Sequence, residues 1–233
     1  MKDLNKKAIL VMGSPGSGKG TQAKLLADKL GLIHFDTGKY IEQVVHDPAN
    51  KNNKIIQREK KLFDAGFLNT PFWVLKIVSE KIRKLTESNI IFSGSPRTFY
   101  EAFGDKKQTG VIDILKELYG QKKVFIFKLN ISEKESIKRN SHRLICSICG
   151  APIINFKSSI SNFKNCPFCG GNLRTRTLDK PEIIKTRLKE YKKRTQPIIK
   201  EFKRRKYKVM NIGAAPLPYK IHQNIARKLN IDD

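Results

Sequence analysis

The 233-residue sequence predicts an α/β fold: three α/β/α layers around a central parallel sheet, with a helical insert and a small cysteine-bearing segment. Two observations predict it. Short apolar runs alternate with stretches of helical periodicity along the chain, the economical pattern of a doubly wound sheet. The first run, Ala8 to Met12, leads into a turn bearing Gly13, Gly16 and Gly18, and then into the helical stretch TQAKLLADKLG. Hydrophobic residues make up 39%, enough for one substantial core with small inserts. MKDLNKK leads directly into the first strand, so no signal peptide is expected, and no apolar run approaches the roughly 18 residues of a membrane span. The expected location is the cytosol.

The turn reads GSPGSGKGT and has the form of a phosphate-binding loop, which makes the expected three-layer fold one of the P-loop NTPase type. Its glycines let backbone N–H groups turn inward around phosphate oxygens, and the following helix adds its positive end. Lys19 can reach the β- and γ-phosphates, and Thr21, displaced by one through Gly20, can place an oxygen on Mg²⁺. Gly13, Gly16, Ser17, Gly18, Lys19, Gly20 and Thr21 are therefore candidate nucleotide-binding residues.

A second strand, 32–35, runs into the turn Asp36-Thr37-Gly38, with Thr37 placed as an N-cap or a substrate contact. KYIEQVV resumes helical spacing. After a polar break with Pro48, a basic amphipathic helix runs to Ala65 and closes at Gly66. Residues 70–88 predict another helix, with Phe72, Trp73 and Ile77 read as core. The buried strand 89–92 ends in Ser93-Gly94-Ser95-Pro96-Arg97-Thr98, a natural ligand edge for an open parallel sheet. Helix 109–119, strand 123–130 and helix 132–143 follow, the last delivering Arg139 and Arg143 toward the cysteines. Arg174, Arg176 and Asp179 precede a long helix that starts at Pro181, carries Arg187, and is kinked or divided at Pro197. Strand YKVMNI and helix 218–229 close the chain. The histidines, 34, 46, 142 and 222, form no ligand cluster.

Cys146-x-x-Cys149 and Cys166-x-x-Cys169 are paired knuckles, a tetrahedral four-thiolate pattern. Zinc is the favoured metal and the site is read as structural, since every ligand is protein-derived; an iron–sulfur cluster or free thiols stay open. The formal charge of +26 is spread over the chain rather than gathered in a basic tail. Solvated lysine-rich faces explain most of it, and no specific nucleic acid is expected.

These motifs, in their order, resemble the adenylate kinase family of nucleoside monophosphate kinases in its long-lid, zinc-bearing form. They are GxPGxGKGT at 13–21, D-T-G at 36–38, A-G-x-L at 65–68, G-x-P-R-T at 94–98, R-x-x-x-R at 139–143, the knuckles, R-x-x-D at 176–179, Arg187-Leu188 with Tyr191, and T-Q-P at 195–197. The resemblance implies a core (1–36, 71–142, 177–233), an acceptor-binding insert (37–70) and a lid (143–176). It also implies reversible transfer of the ATP γ-phosphoryl to a nucleoside monophosphate, AMP first, in a monomer. Lys19 and the loop amides would grip the donor, and Arg97 the acceptor's phosphate. Arg139, Arg143, Arg176 and Arg187 would converge on the transferring group, and Thr37, Gly38, Gly94, Glu101 and Asp179 would complete the binding site.

The chain also departs from the family pattern. The aspartate that ends the third strand and orients the Mg²⁺ hydration shell is Ser93. The Asp and Arg that follow T-G are Lys39 and Glu42, read here as a reversed i,i+3 pair. That leaves the acceptor phosphate one arginine short unless Lys39, Lys54 or Arg58 substitutes. Asp-Asp at the lid exit is Leu178-Asp179, and the base-reading glutamine is Glu101, which could accept a base amino group. Three readings stand at this point: an adenylate kinase with a rebuilt acceptor pocket, a kinase for CMP or a deoxynucleotide, and a nucleotide-binding protein with little transfer.

Overall fold

A computed structural model describes residues 6–154 and 163–230. The MKDLN start, most of the Ser/Asn/Phe segment between the cysteine pairs, and residues 231–233 lie outside the described residues. Strand β1 (Ala8–Gly13) is buried along its whole length, between β3 (Ile90–Ser93) and β4 (Val124–Asn130). With β2 (Ile33–Asp36) and β8 (Val209–Gly213) the sheet reads β2-β3-β1-β4-β8, every pair parallel. Helices cover both faces, so the central strands are continuous apolar runs rather than alternating ones.

Alternate residues of each strand serve different layers. Leu10, Phe92 and Ile126 face α4 (Pro71–Lys84), α6 (Val111–Tyr119) and α9 (Gln196–Arg204). Ile9, Ile91 and Phe127 face α1 (Lys19–Leu30) and α10 (Pro218–Lys228). The α4 stripe that reaches the core is Val74, Leu75, Val78 and Ile82. Trp73, half-buried, packs against this core as expected, whereas Phe72 stands 53% exposed and Ile77 is only half-buried, which corrects the sequence expectation for those two. Pro71 starts the helix, so its apolar stripe falls one position beyond the aromatic pair.

The insert holds α2 (Thr37–His46) and α3 (Lys54–Asp64). Asp36, not Thr37, caps α2: its side chain accepts from Lys39 N at 3.1 Å, and Thr37 is already helical. A short helix unseen in the sequence, α5 (Phe99–Phe103), follows the Arg97 turn. The lid leaves the core after α7 (Glu133–Ser141) as an antiparallel sheet of β6 (Pro152–Ile154), β5 (Arg143–Cys146) and β7 (Leu173–Arg174). The chain returns through α8 (Pro181–Glu190), and a π-helical segment, Tyr191–Thr195, joins α8 to α9 ahead of Pro197. The backbone stays helical across this join, so a π segment, not a break in the chain, precedes Pro197.

The end of the insert is tied back onto α3 at Glu59, whose side chain is fully buried. It accepts from Thr70 N (2.8 Å), Thr70 Oγ1 (2.5 Å), Asn69 Nδ2 (3.1 Å) and Arg58 Nη2 (2.9 Å). Burial pushes its carboxyl up, but the bonds from Thr70, Asn69 and Arg58 outweigh it and hold the group below the usual carboxylate range. A carboxyl lowered by folding stabilises the fold above its unfolded pKa and loses that contribution as pH falls through the folded value. Glu59→Ala should therefore cost about 3 kcal/mol at neutral pH, from several buried donors left unpaired. In urea titrations the gap to the parent should narrow as the pH is lowered through the acid range.

Candidate active site

The phosphate loop lies at the carboxyl end of β1. Gly18 caps α1 with φ at +84°, a left-handed conformation that a side chain would strain. The loop is held from behind, where Ser136 Oγ of α7 donates to Pro15 O at 2.5 Å. Gly13, Gly16 and Gly20 complete the turn, and Ser17 is fully buried, its Oγ without a partner among the described residues. Lys19 Nζ donates to Ser14 O at 3.1 Å, and Thr21 stands half-buried in the first turn of α1.

Around Lys19 the fold gathers guanidinium groups from three other parts of the chain. Burial, then Arg97 and Arg187, lower the lysine's pKa well below its ordinary value; Asp36 opposes them, and Arg143 adds to the drop. Arg187 is pushed down to about 9 by burial and by Arg143, Arg176 and Arg97, against Asp179. The site thus brings together Lys19, Arg97, Arg143, Arg176 and Arg187. Arg97 is seated by glycine: a β-carbon on Gly94 would stand 3.0 Å from its Nη2, and one on Gly38 3.5 Å. Its carbonyl accepts from Thr195 Oγ1 at 2.9 Å, so the π segment fixes the turn. Asp179, almost fully buried, accepts from Arg143 Nη2 (2.5 Å) and Nε (2.9 Å), and from Arg187 Nη1 (3.4 Å). It poses two arginines at once. Arg187 Nη1 also donates to Leu178 O at 3.0 Å.

Three expectations need correction. Arg139 does not join the cluster. Its guanidinium is buried against the loop after β8, donating to Ala214 O and Ala215 O at 2.8 Å each, with Nε on Glu135 at 2.7 Å. It sits one turn inside α7, whereas Arg143 opens β5 and turns with the lid. Glu42 does not pair with Lys39. It accepts from Arg176 Nη2 at 2.6 Å, joining insert to lid exit, while Lys39 Nζ lies near Gly150 of the first knuckle. Glu101 is buried in its own turn. Thr98 Oγ1 caps α5 by accepting from Glu101 N (3.2 Å), and the Glu101 carboxylate accepts from Arg97 N (2.9 Å), Thr98 Oγ1 (3.0 Å) and Ser95 Oγ (3.3 Å). Burial pushes its pKa up. These bonds support a staple for the arginine turn rather than a base reader.

Thr37 is buried with Oγ1 unpartnered among the described residues, as a side chain awaiting a ligand would be. The residue that sequence reasoning passed over is Asp36, whose Oδ2 lies 3.5 Å from the position of a β-carbon on Gly20. An aspartate directly before helical periodicity is an ordinary N-cap signal, and reading D-T-G as a turn hid it. The Thr21 hydroxyl and the Asp36 carboxylate are oxygen donors, the set that suits Mg²⁺.

In the lid the sulfurs of Cys146, Cys149, Cys166 and Cys169 lie within 4.8 Å of one another. Cys146 and Cys169 are 3.4 Å apart, Cys149 and Cys166 3.7 Å. A tetrahedral zinc with bonds of about 2.3 Å separates its sulfurs by about 3.8 Å, so the cluster fits such an ion. Among the described residues no helix is long and apolar enough to cross a membrane.

The adenylate kinase family profile matches residues 11–207. An adenylate kinase of Chlamydia trachomatis serovar D is 32% identical over 236 residues, covering 95% of this chain and 89% of its own. One of Petrotoga mobilis is 31% identical, covering 89% and 90%, and one of Archaeoglobus fulgidus 31% identical, covering 84% and 86%. Similarity over nearly the whole length, with a phosphate loop, an arginine cluster and a four-cysteine lid in place, puts this chain in the adenylate kinase family.

Proposed function

We propose that the chain is a working adenylate kinase, moving the γ-phosphoryl of ATP onto AMP and back, with two ADP as product. The observation that supports it is the gathering of Lys19, Arg97, Arg143, Arg176 and Arg187 into one mutually repelling cluster. A polyanion is what such a cluster accepts, and phosphoryl transfer asks the protein for little beyond position and charge. In this reading Lys19 and the loop amides hold the β- and γ-phosphates. Arg97, seated on Gly94 and Gly38, holds the acceptor's phosphate, and Thr37 Oγ1 meets the acceptor. Arg143 and Arg187, posed by Asp179, face the moving group, and Arg176 joins them when Glu42 yields it. An acceptor phosphate oxygen bonds to the γ-phosphorus as the bridging P–O bond to the β-phosphate breaks, its electron pair leaving on ADP. Mg²⁺ bound with ATP supplies charge neutralisation at the phosphate oxygens. Arg139 steadies the loop at 214–215. The lid excludes water, which would otherwise take the phosphoryl group. The lid's thiolates hold zinc, which organises a piece too small to have a core of its own. A cytosolic monomer is part of the same proposal, its surplus of basic residues serving solubility and small anions.

Diphosphate formation from Mg·ATP should be measured against AMP, CMP, UMP, GMP and their deoxy forms, with a no-acceptor control. ADP production with AMP well above control is expected. Turnover confined to another acceptor, or silence throughout, would overturn the reading.

Arg143→Met should lower kcat about 10²–10³-fold, as loss of a donor to a developing charge does. Arg97→Met should raise the KM for the acceptor more than that for ATP, and Arg139→Met, which strips the buried carbonyls of Ala214 and Ala215 of their donor, should lower stability in urea more than it changes either KM. Initial-rate kinetics with both substrates varied, together with urea titration, separates the three.

Purified protein should carry one zinc per chain by elemental analysis. Chelation or Cys146→Ser should lower the lid's resistance to proteolysis while leaving cleavage in the core sheet unchanged.

A further inference from the structure

Residue 93 ends β3, where the family places the carboxylate that orders the water around the nucleotide's metal. Here it is a serine, and its hydroxyl is engaged elsewhere: Ser93 Oγ lies 2.8 Å from His34 Nε2. The missing charge stands one strand away. Parallel register sets Asp36 directly beside Ser93, at the carboxyl end of β2. Strand alternation puts His34, Asp36, Ile91 and Ser93 on the face covered by α1, since Phe35 and Phe92 pack into the opposite core layer. One oxygen of Asp36, Oδ1, caps α2 through Lys39 N. The other, Oδ2, faces Gly20 at 3.5 Å from where a β-carbon would stand, between Lys19 and Thr21 in sequence. Glycine at 20 keeps that approach open.

Resting on the kinase reading above, we propose that Asp36 is the carboxylate that orients the hydrated Mg²⁺ of the bound triphosphate, in place of residue 93. A hard cation that keeps several waters needs an anionic acceptor within reach of those waters rather than one fixed residue number. Asp36 meets that need from the neighbouring strand, on the same face of the sheet and at the same edge. A cap alone would not call for a charge, because asparagine caps as well as aspartate.

That equivalence supplies the test. Asp36→Asn keeps the cap and removes the charge, and the Asp36→Asn/Ser93→Asp double variant returns a carboxylate to the family position. Mn²⁺ binding to the complex with AMP-PNP is read from the free-ion electron paramagnetic resonance signal. Metal-free AMP-PNP affinity is measured by calorimetry in EDTA. Asp36→Asn should weaken Mn²⁺ binding about 10- to 100-fold, the usual cost of losing an outer-shell partner, and leave metal-free nucleotide affinity equal or tighter. The double variant should recover most of the metal affinity. Unchanged Mn²⁺ binding in Asp36→Asn would overturn the assignment. So would an equal loss with and without metal, which marks a purely structural residue. Failure of the unaltered chain to bind AMP-PNP at all is a separate outcome, and would remove the kinase reading and this assignment with it.

Discussion

The site depends on holding like charges together at one edge of a parallel sheet. Two unit charges 4 Å apart near a protein surface repel by about 4 kcal/mol, so Lys19 and four arginines cannot converge without counter-charge. The fold supplies it sparingly. Asp179 engages Arg143 and Arg187, Glu42 engages Arg176, and Asp36 lies within the field of Lys19 and Arg97. The balance stays on the positive side: burial first, and then the neighbouring arginines, hold the pKa values of Lys19 and Arg187 below their ordinary range. A polyanion is the kind of ligand that would relieve the remaining repulsion.

Each counter-charge also does mechanical work. Asp179 follows the lid exit, so Arg143 at the first lid strand and Arg187 on α8 are coordinated through one carboxylate. Glu42 projects from the insert and Arg176 from the lid exit, so their ion pair draws two moving parts toward each other. In the proposed function an acceptor phosphate would compete with Glu42 for the same guanidinium, and Arg176 released from that pair would stand in for the arginine the family carries at position 42. The Glu42–Arg176 pair itself joins α2 of the insert to the lid exit.

How much of this was legible in the sequence follows from how local each signal is. The phosphate loop and the cysteine knuckles are contiguous, with spacings set by a single turn, so glycine, lysine and cysteine positions suffice to read them. The sheet was legible because strands buried on both faces must be unbroken apolar runs. Arg139 was misplaced because R-x-x-x-R gives two arginines on neighbouring turns but not where the helix stops; α7 ends at Ser141, and only Arg143 leaves with the lid. Glu42 was misread because an i,i+3 partner is visible in sequence, whereas Arg176 is 134 positions away. Phe72 was misjudged since a helix's buried face depends on its neighbours, which composition does not name.

The departures from the family pattern become coherent once they are read as positions in space. Loss of the aspartate at 93 and presence of one at 36 occur on paired residues of adjacent strands. Lys39 and Glu42 reverse the usual signs on one face of α2, and Glu42 then meets an arginine that the lid already carries. Leu178 replaces a carboxylate, yet its carbonyl still accepts from Arg187 while Asp179 serves both arginines. At 93 and at 178 a charge is absent from one residue while a carboxylate stands beside it, Asp36 in the first case and Asp179 in the second. An electrostatic site constrains where charge lies far more than which residue bears it, because Coulomb interactions fall off smoothly with distance, whereas packing does not. The backbone features that cannot be moved, the amide-lined turn, the glycine seat of Arg97 and the four-cysteine cluster, are the ones this chain keeps unchanged.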